Sequence, residues 1–179
     1  MKILTLLRHA KSTWDDPVAR DFDRPLNRRG RKAARRVGEE IRSLGLEFDL
    51  VLASPAVRVR ETLDEIEEGC GRPLGARFDE RIYLAEPGTL LDMVRAADDA
   101  AGSVLLVGHN PGVESLAMSL DGGTLLRDAV AIKYPTGTLA EIELPAERWS
   151  DVAPGSGRIA RFIRPRDLDP ELGPDEDSY

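Results

Sequence analysis

Apolar residues in this chain gather into short runs of strand length, separated by stretches with helical spacing. Ile3, Leu4, Leu6 and Leu7 make the first run, Leu50 to Ala53 the second, and Val104 to Val107 the third. Four or five apolar residues between polar boundaries predict strands covered on both faces. Ala33, Ala34, Val37, Ile41 and Leu44 recur at helical spacing, predicting a helix over residues 28–44 that Gly45 ends at its C′ position. Ser54 followed by Pro55 reads as a helix start, a cap residue with proline at the first helical position. Residues 69–77 read as a loop, a helix runs from Pro87 to about residue 98, and another follows Gly108-His109-Asn110-Pro111-Gly112 and ends near Leu120. Residues 138–144 alternate like a half-exposed strand, and 158–163 read as an edge strand pairing with it. Strands separated by helices predict an α/β domain, a three-layer α/β/α sandwich around a mostly parallel central sheet.

Length and composition leave this picture as a single domain. A chain of 179 residues, 41% hydrophobic and 32% charged, suits one soluble globular unit, read here as residues 1–168. No apolar run approaches the roughly 20 residues of a membrane span, and the N-terminal stretch is too short for a signal segment, so a cytoplasmic, membrane-free protein is expected. One cysteine, Cys70, excludes an intramolecular disulfide, and two histidines argue against a multi-histidine metal site. The net charge of −7 is carried almost entirely by six acids from Asp167 onward. Residues 169–179 therefore read as a solvated, frayed acidic tail, with covering the active site as the alternative. An acidic chain with few aromatics does not suggest nucleic-acid binding.

The candidate chemistry lies at the ends of the three strongest strands: Arg8-His9, Ser54 to Arg58, and Gly108-His109-Asn110. Open α/β sheets bind ligands outside the carboxyl ends of their strands. Both histidines of the chain lie there, with two arginines. A neutral imidazole is a competent nucleophile near pH 7 when one ring nitrogen is held and the other is free. Guanidinium forks match the oxygens of a phosphoryl group bidentately, and a protonated His109 would add a third donor. Phosphoryl transfer needs mainly positioning and electrostatics, so this set requires no metal and no cofactor. Arg58 competes with Arg60; residues two apart on a helix face different ways, so one of them is expected to reach the pocket. Arg28, Arg29, Arg31, Arg35 and Arg36 read as a solvated basic face, and Lys11 and Trp14 as either the pocket mouth or a loop anchor.

Leu7-Arg8-His9-Ala10-Lys11-Ser12 resembles the nucleophile signature of the histidine phosphatase superfamily, and Gly108-His109-Asn110 its second-histidine motif. Asp23 to Gly30, Ser54 to Arg58, Tyr134 to Gly137 and Phe162 to Leu168 extend the resemblance, in order, to the SixA-type phosphohistidine phosphatase branch. The resemblance implies a phosphoglycerate mutase-like fold. It also implies that His9 accepts the phosphoryl group while Arg8, Arg58 and His109 cradle it, with Ser12 as a further contact; Lys11, from its place at the pocket mouth, is a second candidate contact. The mutase and phosphomonoesterase relatives carry a glutamate that protonates the leaving oxygen; here no acid is plainly placed. Glu86 is the leading candidate, with Glu80 and Glu114 open, although the start of a helix favours the ionised form of Glu86. Alkoxide departure gains roughly 10²–10⁴-fold from an acid, whereas the imidazole of a phosphohistidine carries its own protonatable nitrogen. The expected substrate is therefore phosphohistidine on a protein, such as a phosphocarrier or phosphotransfer domain. The alternatives are a small phosphorylated metabolite, or an idle phosphoprotein-binding module. A monomer is expected.

Overall fold

The computed structural model describes residues 1–17 and 19–173. Six strands form one sheet: β1 (Lys2–Arg8), β2 (Leu50–Ala53), β3 (Arg77–Phe78), β4 (Ser103–Gly108), β5 (Leu139–Leu144) and β6 (Arg158–Ile163). Their order is β3-β2-β4-β1-β5-β6, parallel as far as β1 and antiparallel from β1 through β5 to β6. The α/β sandwich is thus built on a mixed sheet with a parallel centre. Alternate residues explain why the central runs are apolar throughout. Leu4, Leu6, Val104 and Leu106 face one core, with α3 (Pro87–Arg95) and α4 (Gly112–Leu120). Leu7, Val51, Leu105 and Val107 face the other, with α1 (Arg28–Ser43) and α2 (Val57–Cys70). Burial on both sides removes any need for a polar alternation.

Helix α1 keeps its expected extent, with Leu44 closing it and Gly45 at φ 64°. Asn27 caps it by accepting from Gly30 N at 2.8 Å. Its contact with α2 is close because Gly38 has no side chain: a Cβ there would lie 2.3 Å from the Ile66 carbonyl oxygen. Strands β5 and β6 pair as expected. The polar positions of β5, Glu141 and Glu143, are half-buried and meet Arg161 and Arg158 of β6.

Several expectations are corrected. Ser54 does not cap a helix; α2 starts at Val57 after an extended Ala56, and the Ser54 hydroxyl is turned to a histidine instead. The loop expected over 69–77 begins later, since α2 runs to Cys70, and Arg77–Phe78 forms a short parallel edge strand on β2. Helix α3 stops at Arg95, where Ala96 caps it. A further helix, α5 (Leu126–Ile132), carried no readable period, because Leu125 and Ile132 are exposed and Val130 is its buried residue. The acidic end does not fray from Asp169. After α6 (Pro165–Leu168), residues Pro170–Leu172 form a 3-10 turn in which Leu172 is buried, and Lys32 of α1 pairs with Asp169 at 3.6 Å and Glu171 at 3.3 Å. The remaining acids, Asp175, Glu176 and Asp177, lie outside the described residues. Among the described residues no helix is long and apolar enough to cross a membrane.

Candidate active site

Strand register brings the two histidines together. Arg8 is paired with Gly108 across β1 and β4, so the next residue on each strand, His9 and His109, leaves the same sheet edge side by side. The His9 amide closes this edge on the Gly108 carbonyl at 3.1 Å, and the two imidazoles stand 5.3 Å apart. Strand β2 lies next to β4, and the Ser54 amide bonds the Val107 carbonyl, which carries the chain into α2 beside the histidines. Arg58, in the first turn of α2, then reaches back over both rings. Residues 11–17 and 19–27 fold across the top. Gly30 permits this approach, because a Cβ there would collide with the Lys11 carbonyl oxygen at 2.1 Å.

The four principal residues are buried: Arg8 is 8% exposed, His9 7%, Arg58 2% and His109 3%. They converge with Ser12, Trp14 and Asp21 on a cleft of about 480 Å³. A larger groove of about 660 Å³ opens against α3 and β3, but it contains neither histidine.

Two hydrogen bonds assign the form of each imidazole. His9 Nδ1 lies 2.7 Å from the Ala10 carbonyl, which can only accept, so that nitrogen carries the proton. His9 Nε2 then presents its lone pair, and Arg58 Nε donates to it at 3.3 Å. His109 Nδ1 faces the Arg58 guanidinium at 3.2 Å, which can only donate; its proton is therefore on Nε2, bonded to the Ser54 hydroxyl at 2.7 Å. Burial, followed by the neighbouring His109, holds the His9 pKa well below the ordinary imidazole value. Burial and then Arg58 push His109 down to about 3. Both rings are therefore neutral at pH 7, and His109 is not the additional cationic donor it would be if protonated: desolvation and the arginines oppose that cation in this arrangement. Arg8 donates to the Tyr134 carbonyl at 2.9 Å.

Arg58 is the arginine that enters the cleft. Arg60 turns away, bonding the Pro55 carbonyl and lying over the Phe78 ring. Ser12 lines the cleft and accepts from Arg24 at 2.6 Å, Lys11 lines it also, and Trp14 lies under the Arg24 guanidinium at 3.4 Å. Glu86 does not reach the site. It precedes α3 as an extended residue, a backbone conformation favoured before Pro87, and it is exposed. Glu80 is likewise exposed outside the cleft. Glu114 does not line the cleft either; it is half-buried behind Asn110, which does, and accepts from Asn110 Nδ2 at 3.3 Å, and burial raises its pKa.

Sequence reasoning missed Asp21, Tyr83, Ser54 and Thr62. The Asp21 carboxylate accepts from Arg58 at 3.0 Å, from Arg24 at 3.0 and 3.1 Å, and from the Tyr83 hydroxyl at 2.5 Å. Burial opposes its ionisation, but Tyr83, Arg58 and Arg24 prevail and bring its pKa down to about 2. Thr62, one turn after Arg58, accepts from the Ala10 amide at 2.9 Å and donates to the Arg58 carbonyl at 2.6 Å, tying α2 to the nucleophile loop. Among the described residues no group of three or more His, Cys, Asp or Glu is gathered for a metal ion.

Known proteins share both the sequence and this architecture. The description "Histidine phosphatase superfamily (branch 1)" matches residues 4–86. An uncharacterized protein of Mycobacterium tuberculosis is 37% identical over 164 residues, covering 89% of this chain and all of that protein. A solved structure from Agrobacterium tumefaciens that bears the name phosphohistidine phosphatase SixA superposes with a TM-score of 0.77 at 30% identity, covering 91% of this chain and 97% of the other. One of the same name from Nakamurella multipartitia gives 0.80 at 27% identity, covering 92% and 96%. Adjacent strand ends, paired histidines and a buried arginine cradle accompany this likeness along nearly the whole chain, and on these grounds the chain belongs to the histidine phosphatase superfamily.

Proposed function

We propose that this protein is a phosphatase working through a phosphohistidine on His9, and that its substrate is phosphohistidine on a protein. One observation carries the mechanism: the His9 ring is locked with Nδ1–H on the Ala10 carbonyl and the Nε2 lone pair facing into the cleft beside Arg58. In the first step that lone pair attacks phosphorus and the bond to the leaving group breaks. Arg8 and Arg58 stabilise the charge on the equatorial oxygens. In the second step water attacks phospho-His9, the P–N bond breaks, and inorganic phosphate leaves with His9 neutral again. A phosphoryl dianion brings two negative charges beside His109 and favours its protonation at Nδ1, which turns that nitrogen into a donor.

The preference for a P–N bond is supported by the carboxylates. Asp21 is ionised and Glu86 and Glu80 lie outside the cleft, so none of them is a ready acid. The name borne by the two SixA structures points to the same substrate class. A phosphorylated protein, such as a phosphocarrier or phosphotransfer domain, is then the partner. The rival reading, a small phosphomonoester, is favoured by Glu114, whose pKa burial raises and which lies directly behind Asn110 of the cleft.

The test compares hydrolysis of a phosphohistidine protein with a panel of sugar and nucleotide phosphates, using His9→Ala and Glu114→Gln. Turnover of phosphohistidine that survives Glu114→Gln and vanishes in His9→Ala is the expected result. Equal turnover by His9→Ala sinks the mechanism. Activity confined to phosphomonoesters and lost in Glu114→Gln sinks the substrate assignment.

A further inference from the structure

Arg58 is almost wholly buried, yet its guanidinium faces two neutral rings, which supply no countercharge. Among the described residues, Asp21 is the carboxylate paired with it. The contact is made twice: Arg58 NH1 donates to the Asp21 carbonyl at 2.7 Å and NH2 to its carboxylate at 3.0 Å. With Nε on His9 and NH2 also beside His109, the fork has its plane and rotation fixed. Asp21 is itself held from two further directions. Arg24 clasps its other oxygen while donating to Ser12 and stacking on Trp14. Tyr83 bonds the oxygen shared with Arg58, and its ring stands edge-on to His109 at 5.4 Å.

We propose that Asp21 is a positioning residue for phosphoryl transfer, holding Arg58 in the orientation that serves His9 and His109 and bracing it against Tyr83 and Arg24. The inference rests on the phosphatase reading above and adds to it a residue that never bonds to phosphorus. The arrangement carries a second consequence. Asp21 and a phosphoryl group are both anions seeking the same guanidinium, so the carboxylate weakens ground-state phosphate binding while improving transition-state geometry. Interactions of that kind raise kcat and not affinity. A part needed only for folding has the opposite signature, since its loss damages binding and turnover together.

The experiment uses the full chain with Asp21→Asn, which keeps shape and removes charge, and Tyr83→Phe, which leaves the charge and removes one brace. Thermal melts identify folded variants. Phosphohistidine turnover gives kcat and KM, and equilibrium binding of inorganic phosphate gives affinity without reference to activity. For Asp21→Asn we expect kcat to fall by about tenfold or more, with phosphate binding unchanged or tighter, and for Tyr83→Phe a smaller fall of the same kind. A kcat reduced less than about fivefold in Asp21→Asn, or phosphate binding weakened in step with kcat, overturns the proposal. Should Asp21→Asn fail to fold, the same two criteria apply to Tyr83→Phe at about twofold. A wild-type protein inactive on every phosphoryl substrate overturns the phosphatase reading itself, whereas an active wild type matched by its Asp21 variants overturns this inference alone.

Discussion

Ser54→Ala tests the assignment of protons in the cleft. Ser54 is fully buried, and its hydroxyl accepts the Nε2 proton of His109 at 2.7 Å. Alanine leaves that buried N–H without its acceptor, a cost of about 1–3 kcal/mol. Switching the tautomer brings no relief, because it would aim an N–H at the Arg58 guanidinium 3.2 Å away. For a domain of this length, 1 kcal/mol moves the melting temperature by roughly 2–4 °C, so a fall of about 2–12 °C is expected. The His109 ring also loses its anchor, and displacement of a few tenths of an ångström lowers kcat by about tenfold. The assay is a melt at pH 7.5 together with single-turnover phosphoenzyme formation, repeated in a His109→Ala background. There the effect of Ser54→Ala is expected to shrink by about 1 kcal/mol or more, since the donor it strands is gone. Strict additivity of the two substitutions, or a melt within about 1 °C of wild type, refutes the tautomer assignment.

Arg58→Lys keeps the charge but cannot bond His9, His109 and Asp21 at once, so kcat is expected to fall about 10²–10³-fold; activity within fivefold of wild type in the same turnover assay contradicts the fork argument. Stability has a predictable acid dependence. The unfolded chain protonates its histidines below about 6.5. In the folded chain His9 titrates well below that value and His109 at about 3. The unfolded state therefore binds more protons, and stability drops as pH falls below about 6.5, by up to ~1.4 kcal/mol per pH unit for each histidine. Asp21 does not offset this, because its contribution is intact above about 3.9 and is lost only as pH falls through about 2. Denaturant melts from pH 7 to 4 should show a flatter slope for His109→Asn than for wild type, and identical slopes refute the assignment. Leu172→Ala is expected to cost about 2 kcal/mol, because Leu172 seats the turn after α6 beside α1; an unchanged melt means that this segment is not docked.

The fold was legible wherever pattern alone determines burial. The runs at Leu4, Val51 and Leu105 have to be strands covered on both sides, and the period from Ala33 to Ile41 has to be a helix. His9, Arg8 and His109 were legible because each sits at the end of such a run. Asp21 was not. It is one of four acids in the polar stretch before α1, and only the contact of the segment around Asp21 with α2 singles it out. Tyr83 belongs to the turn after β3, a strand of two residues that has no period to read. Ser54 was read locally as a cap, a reasonable use of Ser-Pro, but the register of β2 with β4 gives its hydroxyl to a histidine 55 residues away. Glu86 failed for the complementary reason: its place before α3 fixed its backbone but said nothing about which way the helix start faced.

These errors share a physical consequence for the substrate. The acid expected from sequence lies on the surface, and Asp21, the cleft carboxylate paired with Arg58, is held ionised by Tyr83, Arg58 and Arg24. The imidazole protons are committed as well, one to the Ala10 carbonyl and one to Ser54. Such a site offers positive charge to a phosphoryl group generously and a proton to its leaving atom sparingly. A leaving alkoxide suffers most from that imbalance, since it departs with a charge the cleft does little to quench. A leaving imidazole suffers least, because its distal nitrogen takes a proton from solvent before the P–N bond breaks. On the proposed mechanism, protons already committed within the cleft favour P–N over P–O cleavage, and Glu114, behind Asn110 with its pKa raised by burial, is the carboxylate whose proton would reverse that preference.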